Sequence, residues 1–243
     1  MGQAVIATMT FYKSMQEMRA GLALRTAEEA GRLSHPLIVV DGGSTPEFIT
    51  KMRNLGAVVH SQEEAGLGPA HHQLFALAAE AAGENGIVDW VEIEKWPLVS
   101  QLWQMNHLIE INEADLVMPG RTEGAWASYP PTQMHQEKFC NLCMKSMFPA
   151  IVADWFWGPF AANQTALRHF IEYRGESYNC RSVPKIHAIA AGLRIRGVTV
   201  QYIHPPEQTR EETGNLFYDL RRVTQVQQVA AMEKAARNLG LIR

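Results

Sequence analysis

The first half of this chain alternates between short apolar runs and helix-forming stretches, and that alternation limits the fold more than any other feature. A-V-I-A-T-M-T-F at 4–11 is a β-rich run, and 15–32 reads as an Ala/Leu/Glu/Arg-rich helix. P-L-I-V-V at 36–40 is a second apolar run that stops at Asp41 and the pair Gly42-Gly43. A short helix is expected over 46–55, a short strand at 56–60, an Ala-rich helix over 70–82 and a further strand from Gly86. Continuous apolar strands are buried on both faces, and intervening helices supply the crossovers that parallel pairing requires. The pattern predicts an α/β fold with a mostly parallel central sheet flanked by helices.

The second half is more varied. A-D-L-V-M-P-G-R at 114–121 reads as a strand, 132–148 and 183–193 as helices, G-V-T-V-Q-Y-I-H at 197–204 as a strand ending at His204, P-P-E-Q-T-R-E-E-T-G as a loop, and 215–239 as a long helix with apolar positions near Leu216, Leu220, Val223, Val226, Val229 and Met232. No repeat or low-complexity linker marks a boundary, so the 243 residues are read as one domain. Hydrophobic residues at 47%, charged residues at 19% and a formal charge of −3 describe a soluble globule and disfavour a nucleic-acid partner. Cys140, Cys143 and Cys180 are too few for a disulfide framework. With no signal-like start and no apolar stretch long enough for a bilayer, the expected location is cytoplasmic. Cys140-x-x-Cys143 lies in a helical context without a second pair, which reads as buried and structural rather than zinc-binding.

The strand from Gly86 ends in V-E-I-E-K-W-P, with Glu92 and Glu94 one residue apart and Lys95 beside them. On a strand such a pair points to one side. If that end opens into a cleft, the carboxylates can share a cation; if it opens to solvent, they are a hydrated terminus. In open parallel sheets ligands collect at the carboxyl ends of strands, where Asp41 also falls.

V-V-D-G-G-S-T-P-E at 39–47, G-L-G-P-A-H-H-Q at 66–73 and the acidic pair at 92–94 occur in the order seen in glycosyltransferases of the GT-A fold, and the chain resembles family-2-like members over most of residues 4–204. The resemblance implies a GT-A, Rossmann-like single domain: 1–118 would bind the nucleotide sugar, 119–210 would face the acceptor, and 215–239 would be a C-terminal helix through which homo-oligomers could form. It implies a UDP- or GDP-linked sugar donor, a sugar or other hydroxyl acceptor, and Mn²⁺ or Mg²⁺ on the diphosphate.

By the same resemblance Asp41 takes the position of the acid near base or ribose, with Gly42 and Gly43 admitting the ligand close to the backbone. Gly66 and Gly68 match the loop before the family helix, while the family arginine and asparagine are replaced by His71 and His72. Glu92 and Glu94 stand at the Asp-x-Asp position as metal ligands, and Lys95 can neutralise charge or touch phosphate. His204 matches the late histidine that completes the metal site, with His187 a weaker rival. Asp154, in D-W-F-W-G-P-F, is the expected general base, with Trp155 and Trp157 offering faces to a sugar ring; the same residues also read as core aromatics behind a helix-capping acid. Glu123 and Glu137 are less favoured bases, and retention by front-side attack needs none. Arg121 and Arg210 lie in stretches suited to stabilising the departing diphosphate. The rival readings are a nucleotidyltransferase, which the non-glycine-rich T-M-T-F-Y-K-S-M disfavours, and a non-catalytic relative that binds a nucleotide or a partner.

Overall fold

The computed structural model describes residues 2–151 and 154–243, with backbone alone at 220–222, so Leu220 lies outside the described side chains. In chain order the elements are β1 (Ala4–Thr10), α1 (Met18–Arg32), β2 (Leu37–Asp41), α2 (Pro46–Asn54), β3 (Val58–Ser61), α3 (Leu67–Ala82) and β4 (Ile87–Trp90). There follow α4 (Trp96–Val99), α5 (Trp103–Glu110), β5 (Leu116–Arg121), α6 (Glu123–Ala127), α7 (Pro131–Met147), β6 (Phe160–Asn163), α8 (Gln164–Glu172), α9 (Asn179–Ala190), β7 (Ile195–Val200), α10 (Pro206–Glu212) and α11 (Leu216–Asn238). The strands form one seven-stranded sheet in the order β3-β2-β1-β4-β6-β5-β7. Every pairing is parallel except those of β6, which runs antiparallel between β4 and β5.

The inner strands are apolar on both faces because both are covered. Val5, Ala7, Val88 and Leu116 pack with Leu74, Phe75, Phe160 and Phe170 in one core layer. Ile6, Val39, Ile87 and Val117 pack with Ala23, Phe48, Leu98 and Met105 in the other. The sequence expectation of an α/β sheet covered on both sides holds.

Several boundaries differ from the sequence reading for local reasons. Helix α1 starts at Met18 rather than at 15, because Glu17 Oε1 accepts from the backbone N–H of Lys13 (2.6 Å) and Ser14 (2.9 Å) and holds that segment in a turn. Helix α2 has the expected punctuation: Thr45 accepts from Phe48 N, Pro46 opens the first turn and Lys51 and Arg53 sit in the last. Strand β4 stops at Trp90, and Lys95 N then donates to Glu92 O at 2.9 Å, so Glu92 and Glu94 lie on a turn rather than on a strand. The same-side alternation expected of them does not apply. Strand β7 ends at Val200, which leaves His204 in the loop before α10, a short helix where the sequence reads as a loop. Strand β6 and helix α8 are absent from the sequence reading; Phe160-Ala-Ala-Asn163 is too short to show a period, and only pairing with both neighbours makes it a strand.

Candidate active site

Two joined chambers open above the carboxyl ends of β1, β2 and β4. The outer one, 680 Å³, is bounded by the ends of β1 and β2 and the start of α3. The inner one, 260 Å³, runs from the turn after β4 to α9 and α11. They share Met9, Arg19, Leu67, Glu94 and Tyr218.

The rim of the outer chamber is set by the turn after β2. Asp41 is 4% exposed, and its carboxylate is engaged within the fold: Oδ1 accepts from Thr10 Oγ1 at 2.7 Å, while Oδ2 accepts from Gly43 N at 2.9 Å and Ser44 N at 2.8 Å. Gly43 has φ of +105°, a conformation that glycine adopts without strain. Gly42 lines the chamber. Gly68 instead faces the interior: a Cβ there would lie 1.9 Å from Gly175 O, so glycine lets the first turn of α3 press against the backbone before α9.

The turn after β4 carries the charged centre. Thr26 Oγ1 of α1 donates to Ile93 O and anchors it. Glu92 accepts from Lys95 Nζ at 2.9 Å and from Arg181 of α9 at 3.1 Å. Burial alone would raise its pKa, but the two cations outweigh it and hold the carboxyl well below the usual range. Lys95 is likewise penalised by burial, yet the Glu92 carboxylate keeps it charged, with its pKa well above the ordinary amine value, and its ammonium lies 5.8 Å from the rings of both Tyr129 and Tyr202. Glu94 turns the other way, accepting from Tyr12 Oη at 2.9 Å and lying 3.6 Å from Arg19.

His204 reaches the inner chamber from the loop after β7, its ring stacked on Tyr129 at 4.1 Å between centroids. It is 2% exposed, and neither ring nitrogen has a hydrogen-bond partner among the described residues. Its Nε2 lies 3.9 Å from Glu212 Oε2. Burial first, then the nearby Lys95, Arg19 and Arg121, push its pKa down to about 2, so the imidazole is neutral and keeps a lone pair for a ligand.

Asp154 does not line either chamber. Its Oδ2 accepts from Arg121 Nε at 2.7 Å and its Oδ1 from Asn141 Nδ2 at 2.8 Å, all beneath the chamber wall. Arg121 also pairs with Glu137 at 2.5 Å and lies 3.5 Å over the ring of Trp126. Trp155, Phe156 and Trp157 are at most 8% exposed, and all three contribute to the inner chamber's wall, so they are core residues and lining at once. His187 packs on Tyr173 at 5.7 Å, away from the chambers.

Sequence reading misses Arg19, Arg181 and Lys185. The last two stand one helical turn apart on α9, and that spacing is the only signal they leave. Lys185 is buried and donates to Trp155 O at 3.0 Å; burial and then Arg181 lower its pKa to about 7. In the inner chamber the basic side chains Arg19, Lys95, Arg181 and Lys185 face the carboxylates Glu92, Glu94, Glu137 and Glu212.

Among the described residues no three His, Cys, Asp or Glu side chains form a metal cage. Mg²⁺-like ions do not need one, since one or two protein ligands suffice when substrate phosphates complete the shell. Glu94, which borders both chambers, and the unpartnered imidazole of His204, which borders the inner one, are donors of the kind such an ion takes. Glu92, held by two cations, is a poorer ligand than Glu94.

Solved structures share this architecture. Glucosyl-3-phosphoglycerate synthase from Mycobacterium tuberculosis matches with a TM-score of 0.63 at 16% identity, over 95% of this chain and 81% of that one. The chain has a GT-A fold. The same enzyme in complex with Mn²⁺, UDP-glucose and phosphoglyceric acid matches with a TM-score of 0.62 at 16% identity, over 94% of this chain and 80% of that one. Its complex with Mg²⁺ and UDP matches with a TM-score of 0.60 at 15% identity, covering 95% and 80%. No protein-family model matches the sequence, and a comparison with curated proteins finds no match.

Proposed function

We propose that this chain is a nucleotide-sugar-dependent glycosyltransferase that works with a divalent metal on a hydroxyl acceptor. The observation that carries the reading is the pair of joined chambers at the carboxyl ends of β1, β2 and β4, with Glu94 and Arg19 at the junction. The outer chamber suits a nucleoside, the junction a diphosphate and the inner chamber a sugar with its acceptor. The GT-A neighbours that hold UDP or UDP-glucose with Mn²⁺ or Mg²⁺ support this assignment.

Glu94 and His204 would hold the metal, which when bound offsets charge on the departing diphosphate. Arg19 and Lys95 lie beside the same place and add fixed positive charge. Asp41 and Gly43 shape the turn that bounds the nucleoside, and Gly42 gives the backbone a close approach. The Glu92–Lys95–Arg181 triad keeps both cations aimed along the inner chamber. Asp154 acts as an anchor for Arg121 and Asn141, not as the base. Because each carboxylate lining the inner chamber among the described residues is already paired, front-side attack is the favoured route: the acceptor O–H and the bond from the anomeric carbon to the phosphate oxygen break, the acceptor oxygen bonds the anomeric carbon, and the departing phosphate oxygen takes the proton. In this reading the 1–118 half supplies most of the donor side, and 119–210 supplies the acceptor side together with His204 and Arg181, which reach across to the donor.

A reducing, cytoplasmic location suits the free cysteines Cys140, Cys143 and Cys180. The exposed Leu216, Phe217, Val223 and Val226 of α11 mark where copies would associate. No helix among the described residues is long and apolar enough to cross a membrane.

Release of nucleoside diphosphate from a panel of UDP- and GDP-sugars, with and without Mn²⁺, tests the reading. Metal-stimulated cleavage of one donor is expected. Inertness toward every donor, combined with no thermal stabilisation by UDP or GDP, would contradict it.

A further inference from the structure

Several buried polar atoms of the inner chamber lack a partner among the described residues, and two of them, on the His71 and Arg181 side chains that flank Trp90, are of opposite kind. His71 Nδ1 lies 2.7 Å from Leu67 O; a carbonyl only accepts, so Nδ1 carries the proton and Nε2 presents a lone pair. That Nε2 is buried and unpartnered. The ring is 1% exposed and wedged between Trp90, at 4.9 Å, and Phe75, at 5.7 Å, so it cannot swing away to find water. Arg181 Nε, a donor, is equally buried and unpartnered, while the same guanidinium commits another nitrogen to Glu92. Both residues line the inner chamber. Burial first, and then the charge of Arg181, bring the His71 pKa down to about 3, which keeps Nε2 an acceptor at neutral pH.

A buried acceptor and a buried donor left unmade are costly, so their joint presence in one cavity points to a ligand that answers both. A carboxylate, or the ionised diphosphate of a nucleotide sugar, has no proton to give His71, and an ammonium has no lone pair for Arg181. A hydroxyl does both at once, and Trp90, which also lines the chamber, adds an apolar face of the kind that packs against sugar C–H groups. We propose that His71 Nε2 and Arg181 Nε together bind one hydroxyl of the donor hexose, which makes His71 a determinant of sugar specificity. The assignment rests on the nucleotide-sugar reading above, and it gives a use to a histidine at the position where GT-A relatives of the resembled kind carry arginine.

Calorimetric titration of the intact protein with the preferred nucleotide hexose, its monodeoxy analogues and the matching nucleoside diphosphate tests it. In the wild type, one monodeoxy analogue should bind about tenfold more weakly than the parent sugar, the loss of one satisfied hydroxyl. His71→Phe, which keeps the aromatic packing, should bind parent and that analogue equally, with nucleoside diphosphate affinity unchanged. Monodeoxy analogues that all match the parent on the wild type would overturn the proposal, because the two atoms would then be served by water alone. If the nucleoside diphosphate itself does not bind, the nucleotide-sugar reading fails, and saturation-transfer NMR with free glucose decides the hydroxyl site separately. A glucose signal that disappears in His71→Phe would sustain the site, and the lack of any signal would overturn it.

Discussion

Asp154 accepts from Arg121 and Asn141 in the core, so a proton leaving an acceptor hydroxyl would have to displace one of them before reaching its carboxylate. The arrangement matters for stability, because neutralising Asp154 removes one of the two carboxylates, with Glu137, that hold the buried Arg121 guanidinium. Asp154→Asn is therefore expected to lower unfolding free energy by about 3 kcal/mol, with kcat of the folded protein within a few-fold of wild type. Chemical denaturation and steady-state kinetics on the same preparation check this. A kcat lost by orders of magnitude with stability intact would return Asp154 to the chemistry. Its neighbours show why sequence is ambiguous here: Trp155 and Trp157 are at once core residues and chamber wall, so neither reading of D-W-F-W-G-P-F is complete.

At the level of elements, the β5–β7 edge depends on one carboxylate. Asp115 accepts from the backbone and guanidinium of Arg194 and from Asn163, tying the entry to β5 to the ends of β6 and β7. Arg194's hydrogen bond first, then its backbone N–H, with Asn163 helping, hold the Asp115 pKa down to about 2 against the opposing effect of burial. A depressed carboxylate pKa stabilises the fold fully above its unfolded value of about 3.9, and the contribution is lost as pH falls through about 2. Thermal melts of wild type and Asp115→Asn should therefore differ at neutral pH and converge between about pH 4 and pH 2. A gap that stays constant across that window would show that the ion pair contributes nothing. The elements themselves were legible to different degrees. β1, β2, α1 and α3 could be read because each carries a long apolar or Ala-rich run. β6 could not, since four residues without periodicity become a strand only when β4 and β5 flank them. The turn at Glu92–Lys95 was also hidden: Pro97 signals that a strand must end, but not that it has already ended at Trp90.

For the whole molecule, the topology brings residues far apart in sequence to one rim. Arg19 follows β1, Glu94 follows β4, Arg181 belongs to α9 and His204 follows β7, yet all border the inner chamber. Sequence order pointed to Glu94 and His204 through motifs, whereas Arg19 and Arg181 sit in ordinary helical stretches and become site residues only when the sheet closes the distance. Their positive charge is matched by the carboxylates of the same chamber, so neither a bare divalent cation nor a bare diphosphate is the natural guest; a metal–diphosphate pair, closer to neutral, is. The account predicts coupling: Mn²⁺ alone binds weakly, and UDP or GDP binds at least about tenfold more tightly with Mn²⁺ than without it, a coupling of about 1.4 kcal/mol. Glu94→Gln should abolish most of that difference, while Glu92→Gln, whose carboxylate is held by Lys95 and Arg181, should leave more of it. Calorimetric titration of UDP and GDP, each in the presence of Mn²⁺ and of EDTA, into wild type and Glu94→Gln is the most direct measurement. Metal-enhanced binding of one nucleotide that collapses in Glu94→Gln is the predicted result, and the absence of binding by either nucleotide, with or without metal, would contradict the account.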